Sequence, residues 1–416
     1  MNFIKKIDIF YIITLLFLLL SSNANFLSAN NIYWFIVLGF ISTVAVSKRI
    51  LNITDIKIII LFALIYLILV VLRDIFINQL DSELILSDVI FLFKYLLLSF
   101  VYVATLKEKV IPYLVRVIVH LTVLSFFFFF LQIIGFADII YRYSQALNLP
   151  SVNNIEGYTN FVFFSFTRGR HDYANSGFVW EPGAFGCFLS IALLLHFFVN
   201  KFRFDKSAII LLLGIITTFS TTTYLALLVI LFLTYRARVP KVNRWIILLV
   251  PVFLFLIISI PILSDKIGET YYEDMSDLNR LRILERYYHR QNQQIPLNRF
   301  ASMEYIYTSF GSHLLLGVNN KYNVILNKKN DVDISNGIFD FLAKFGLVGF
   351  LFLLYCYGKV CFIYLRNREL LIYCILVFLI IAFGEPILHL PLVLMFIFLY
   401  LLKINSASAQ ASFSRI

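Results

Sequence analysis

Between Thr167 and Gly186 a polar, charged run passes directly into an apolar one: Thr-Arg-Gly-Arg-His-Asp-Tyr-Ala-Asn-Ser-Gly-Phe-Val-Trp-Glu-Pro-Gly-Ala-Phe-Gly. Glu181 lies about one turn inside the apolar stretch, beside Pro182, whose missing N–H is tolerated in a first helical turn. A carboxylate at membrane depth costs about 3 kcal/mol on insertion scales, so it is expected to face a polar cavity and to have a role. Arg168 and Arg170 precede it and are its expected partners; simple helix capping or ion pairing is the plainer alternative. A second constellation begins at Arg299-Phe-Ala-Ser-Met-Glu-Tyr305 and continues through Leu316-Gly-Val-Asn-Asn320. It ends in Asp333-Ile-Ser-Asn-Gly-Ile-Phe-Asp-Phe-Leu-Ala-Lys-Phe-Gly-Leu-Val-Gly349. Arginine offers a planar, permanently charged fork that fits diphosphate oxygens. Arginines beside a membrane surface therefore read as a cradle for a lipid diphosphate, against the plainer alternatives of a solvated loop or a contact with anionic lipid.

Stepping outward, the elements that position these residues are transmembrane helices. Of 416 residues, 61% are hydrophobic and 14% charged, whereas a soluble domain carries about 25% charged residues. The formal charge of +11 falls mostly in loops between apolar runs, which is membrane topology rather than nucleic-acid binding. Spans of about 20 apolar residues are expected near 8–27, 31–47, 55–73, 86–105, 112–136, 178–199, 207–219, 222–235, 245–263, 338–364, 370–384 and 389–403. The polar Thr217–Thr223 stretch divides 207–235 into two; read as one tilted helix, the count is eleven rather than twelve. Met1–Lys6 followed by Ile9–Leu20 resembles a signal peptide, but no convincing cleavage site follows and a retained first helix is expected. The four cysteines sit in apolar segments without metal or disulfide spacing and read as small buried residues.

Lys and Arg in short loops place both termini in the cytoplasm, Arg73 being an exception, and Lys94 and Arg116 fall within spans. Two long connections, 137–177 and 264–337, then lie outside within a single membrane domain, 1–416. Over 278–290 apolar residues recur at helical spacing opposite Arg282, Arg286 and Arg290, which predicts a basic amphipathic helix for the membrane surface or an ordinary solvated one. Asp331-Val-Asp333 imitates the metal motif of nucleotide-sugar enzymes, but it is isolated and faces outside, away from nucleotide sugars. Gly384-Glu-Pro-Ile-Leu-His-Leu-Pro391 repeats a Glu-Pro pair and reads as a turn between spans, although Glu385 and His389 could line the same cavity.

Gly177–Gly186, Arg299, Gly317-Val-Asn319, Ser335-Asn-Gly-Ile-Phe339 and Gly346-Leu-Val-Gly349 together resemble the bacterial O-antigen and capsule polymerases, whose superfamily also holds the O-antigen ligases. The similarity covers 165–350 best. It implies an all-α, polytopic, GT-C-like protein of the inner membrane. The implied activity is a metal-independent, inverting glycosyltransferase without cofactor, acting on undecaprenyl-diphosphate-linked glycans at the periplasmic face. A chain-length regulator and a flippase would be its partners, and membrane lipid its medium. Carried over residue by residue, Arg168 or Arg170 and Arg299 would hold the diphosphate, with Glu181 in the same cavity. Ser335-Asn336 occupies the place of a His-Asn pair of many relatives, Asn336 falling on the substrate side. Lacking that histidine, the chain would draw its base from Glu181, Asp333 or His171, or need no strong base if the leaving group is well stabilised. A ligase differs only in its acceptor. A flippase or transporter, from a different class, would be expected to show repeated halves and more mid-span charges.

Overall fold

A computed structural model describes residues 8–78, 81–147, 157–169, 171–239, 271–273, 275, 276, 278–281, 295–322 and 332–403. Helix stands at each expected apolar segment except 245–263, which lies outside the described residues. The helices are α1 (Ile9–Ser21), α2 (Phe26–Ala29), α3 (Asn31–Ser47), α4 (Ile53–Arg73), α5 (Ser82–Phe91), α6 (Leu98–Leu106), α7 (Val110–Leu131) and α8 (Ala137–Leu147). They continue with α9 (Pro182–Val199), α10 (Lys206–Thr217), α11 (Thr221–Arg238), α12 (Arg299–Phe310), α13 (Gly337–Leu365), α14 (Arg368–Gly384) and α15 (Pro391–Leu401). Among the described residues, four helical stretches are long and apolar enough to cross a membrane: Ile53–Ile77, Ser82–Leu147, Pro182–Val199 and Gly337–Leu365. The second is divided at Lys107, whose φ of 49° caps α6 before α7 begins.

The polar Thr217–Thr223 stretch does separate two helices, with Phe219 at φ 49° in the turn. Several helix ends are held by side chains, as when Asp205 accepts from the Ala208 N–H at the start of α10 at 2.9 Å. Arg49, Lys107, Lys201, Arg366 and Lys403 take positive φ at or just beyond helix C-termini. A cation there meets the negative end of the helix dipole. One large cluster of buried apolar side chains joins α1, α3, α5–α7, α9–α11 and α13–α15. Helix packing in lipid draws on close contact rather than on exclusion of water. A Cβ on Gly214 would meet Thr122 at 2.7 Å and Leu189 at 2.9 Å, so α10 reaches α7 and α9 across a glycine.

The long connections are more ordered than the sequence suggests, and they add strands to an otherwise helical chain. The first opens as α8, after a break at Gly135 (φ 97°), and holds an antiparallel ribbon of β1 (Tyr158–Asn160) and β2 (Ser165–Thr167). The second holds a parallel ribbon of β3 (Ile295–Leu297) and β4 (Val332–Ile334), with α12 between them. Ile295, Ile306, Phe310, Tyr322 and Val332 give it a small core of its own. The expected basic helix over 278–290 lies, beyond Leu281, outside the described residues.

This second connection is fastened to a break in α13. Gly346 leaves helical geometry at φ 72° and ψ 176°, which frees carbonyls of the preceding turn. The Ala343 carbonyl accepts from the Val318 N–H at 2.6 Å and the Asn319 N–H at 3.3 Å. Asn319 also donates to Asp88 on α5 at 2.8 Å, and Arg73 at the end of α4 donates to the same carboxylate. The glycines that the sequence places at 317 and 346 therefore meet backbone to backbone.

Gly317 has φ 79°, and a Cβ there would stand 2.8 Å from the Phe345 amide nitrogen. Gly317→Ala should thus cost about 2–4 kcal/mol, seen as a lowered unfolding temperature in detergent. Gly311→Ala, also at positive φ but with nothing within 4 Å, should cost only the backbone strain of about 1–2 kcal/mol. Equal losses in the two variants would contradict the close approach.

Candidate active site

Glu181 is the N-cap residue of α9, in extended conformation with Pro182 opening the helix. Its side chain accepts a hydrogen bond from the Trp180 indole at 3.1 Å. The buried Glu385, at the end of α14, is near enough that each carboxyl shifts the protonation of the other. Arg299, the first residue of α12, donates from Nε to the Gly384 carbonyl at 2.9 Å. Its Nη2 reaches the Glu385 carboxylate at 3.3 Å. The Arg299 side chain stays 38% exposed while that of Glu385 is 4% exposed, so the guanidinium still faces open space.

Glycines permit this convergence. A Cβ on Gly183 would run into the Glu385 carboxylate, and one on Gly337 into the Glu385 and Ala382 carbonyls. The same virtual Cβ of Gly183 comes within 3.6 Å of Ser220, which precedes α11. The first residues of α9, α11, α12 and α13 therefore gather around one carboxyl pair. The positive dipole ends of these helix starts favour a bound anion.

The electrostatics of the pair are asymmetric. Burial raises the Glu385 carboxyl well above its ordinary range, and the charge and hydrogen bond of Glu181 raise it further against the pull of Arg299. Burial also acts to raise Glu181, but its hydrogen bond with Glu385, the neighbouring His171, the Trp180 indole and Arg299 outweigh it, and the net shift is downward. Two carboxyls in contact cannot both ionise cheaply, so they share one proton, held by Glu385.

His171 thus comes near Glu181, as a residue of the expected site. Its backbone carbonyl accepts from Gln132 at 3.0 Å. Arg168 turns elsewhere: it forms a 2.9 Å ion pair with Asp138 and lies over the Tyr141 ring. The expected pairing of Arg168 with Glu181 is not what the structure shows, because the segment read as loop at 137 is α8 and brings its own carboxylate. Arg170 lies outside the described residues. Asp333 sits in β4 opposite Pro296. Asn336 is fully buried; its Oδ1 caps α13 by accepting from the Ile338 and Phe339 N–H groups. Its Nδ2 donates to the Arg299 carbonyl at 3.2 Å. Ser335 donates to the Leu297 carbonyl at 2.8 Å. The Ser335-Asn336 pair therefore positions Arg299 through the backbone.

Glu385, read from the sequence as part of a turn, is central. The signal was present in the repeated Glu-Pro pair, 181–182 and 385–386, which places two carboxylates at helix ends. His389 belongs to a separate cluster, 3.2 Å from both Asp340 and Lys344.

Protonation of Glu385 has a measurable consequence. The native protein keeps a proton that the unfolded chain releases at about pH 4–5. Stability associated with this group therefore falls as pH rises from there toward the native pKa. Glu385→Gln keeps a donor toward Glu181 but cannot ionise. Across that window its stability relative to the unsubstituted protein should improve by up to about 1.4 kcal/mol per pH unit, read by thermal unfolding in detergent. Parallel stability curves would exclude the shared proton.

Residues 207–354 match a family model described as O-antigen ligase. The match takes in Arg299 and Asn336, while Glu181 and Glu385 flank it on either side. No curated protein and no solved structure matches the chain. A helical membrane architecture and this match point the same way, and over residues 207–354 the chain is similar to the O-antigen ligase family.

Proposed function

We propose that the protein joins lipid-linked oligosaccharide repeats into O-antigen or capsular polysaccharide at the periplasmic face of the inner membrane. The observation that carries this is the placement of Arg299 on the Glu181–Glu385 pair, where four helices begin. Undecaprenyl diphosphate is the leaving group. As the glycosidic bond lengthens, negative charge gathers on the bridging phosphate oxygen, and Arg299 with the surrounding N–H groups stabilises it. The ionised Glu181 takes the proton from the acceptor hydroxyl as the new C–O bond forms, with Glu385 keeping its own proton. Attack opposite the leaving group inverts the anomeric carbon in one displacement, with no metal or cofactor invoked. His171 holds Glu181 ionised, and Asn336 orients Arg299. Arg168 and Arg170 belong to the sequence of the first outer connection and Asp333 to the second, as further candidates for contact with the glycan. A chain-length regulator and a flippase complete the system.

The family match supports a ligase equally, with a different acceptor. Cells carrying Arg299→Ala or Glu181→Ala separate the two. Loss of one phosphate-binding donor should lower turnover about 10²–10³-fold, and loss of the base about 10²–10⁴-fold. A polymerase defect leaves single repeat units on the surface glycolipid, whereas a ligase defect leaves full-length chains on the lipid carrier and none on the glycolipid. Normal polymer in both variants, with protein present in the membrane, would remove the assignment of the site.

A further inference from the structure

Several cations inside the bundle are neutralised by carboxylates. Arg73 pairs with Asp88, Lys344 with Asp340 at 2.9 Å, and His389 stands against the same Asp340. Lys94 is different. Among the described residues no carboxylate pairs with its Nζ, which donates to the Asn31 side-chain oxygen at 2.8 Å. Two rings hold it from the sides, Trp34 at 4.8 Å and Tyr95 at 5.5 Å from the ammonium. An aromatic face attracts a cation through its quadrupole but brings no opposite charge, so the positive charge of Lys94 stays uncompensated. A charge kept within a membrane span marks the path of a ligand.

The backbone at Lys94 departs from a regular helix. Between α5 and α6 the chain runs through a π-helical turn, Leu92–Leu97, a widened form that recurs at functional sites. It carries both Lys94 and Tyr95. Asn31 opens α3 and is exposed, one turn before the buried Trp34. Lys321, from the second outer connection, is exposed as well and close enough for its charge to act on Lys94. Its backbone is fixed, for its N–H donates to Asn319 Oδ1 at 2.7 Å and Asn319 is bound in turn to Asp88. Two neighbouring ammonium groups without a counterion repel each other, and one anion between them would relieve both.

This recess adjoins the candidate active site. His389 lies in the turn that follows Glu385, and its ring is 6.0 Å from that of Tyr95. From Glu385 to His389 the backbone spans at most about 14 Å. An anion at Lys94 is therefore within reach of the glycan whose diphosphate Arg299 holds. A carboxylate has the right form, since its two oxygens can each accept from one ammonium.

We infer that Lys94 and Lys321 bind the carboxylate of an acidic sugar in the repeat unit, which makes the protein selective for glycans that contain a hexuronic acid. This rests on the function proposed above, which brings the glycan to this place. Lys94 sets which repeat is accepted, while Arg299 and Glu181 act on the bond that is exchanged.

The test titrates the full-length protein, in phosphatidylcholine nanodiscs, with trigalacturonic acid and with its uncharged methyl ester, followed by NMR of the sugar protons. The acid should bind about tenfold more tightly than the ester. Lys94→Gln, which keeps a donor for Asn31, should remove most of that preference, and Lys94→Arg should retain it. Equal affinities for acid and ester, an undiminished preference in Lys94→Gln, or its loss in both variants would each overturn the inference. So would loss of the acid's binding when phosphatidylglycerol replaces half of the lipid, because the recess would then be a seat for a phospholipid headgroup. Sugar analysis of the lipid-linked repeat units in the cells of origin supplies a second check. A carboxylate-bearing sugar is expected, and a repeat without one contradicts the assignment. Neither measurement needs turnover, so both can fail while the Arg299 and Glu181 variants behave as proposed, and succeed if they do not.

Discussion

The contact between Arg299 and the end of α14 holds the outer part of this molecule together. One guanidinium binds a backbone carbonyl, that of Gly384, and a buried carboxyl, that of Glu385. Its own backbone carbonyl is gripped by Asn336. The long second connection is thereby sewn to two membrane helices at once. Without Arg299 the buried Glu385 carboxyl loses a hydrogen-bond donor, which costs about 1–3 kcal/mol. The contact is thus architecture in the first place, since it closes the junction of α12, α13 and α14.

A second anchoring point works by backbone geometry instead. The break at Gly346 hands a helix carbonyl to the Gly317–Asn319 segment, and Asn319 carries the link on to Asp88. Non-helical backbone at membrane depth persists where its polar groups find partners inside the protein. The two anchors lie on either side of the first two turns of α13. That short piece of helix is consequently fixed at its cap and at its break.

Much of the scaffold was legible beforehand, since apolar runs of the right length announce helices and the polar Thr217–Thr223 stretch announces a turn. Glu181 and Arg299 were legible as charges in unlikely places, and both meet in the site. The partners were not. Periodicity says which face of a helix is apolar, but not which distant helix end will supply a second carboxyl, so Glu385 passed for a turn residue. Arg168 shows the converse. Its proximity to Glu181 in sequence suggested a pair, while α8, hidden in an apparent loop, offered Asp138 instead. The small ribbons of the outer connections were illegible because three-residue strands carry too little alternation to detect.

Arg49, Lys107, Lys201, Arg366 and Lys403 occupy left-handed backbone, where glycine would sit without strain and other residues cost about 1–2 kcal/mol. Each belongs to a segment whose positive charge argues for the cytoplasmic side. The chain has accepted a less comfortable bend at five places in order to keep a cation there. Orientation during insertion and ease of folding afterwards therefore pull on the same residues in opposite directions, and a sequence tuned for stability alone would put glycine in all five.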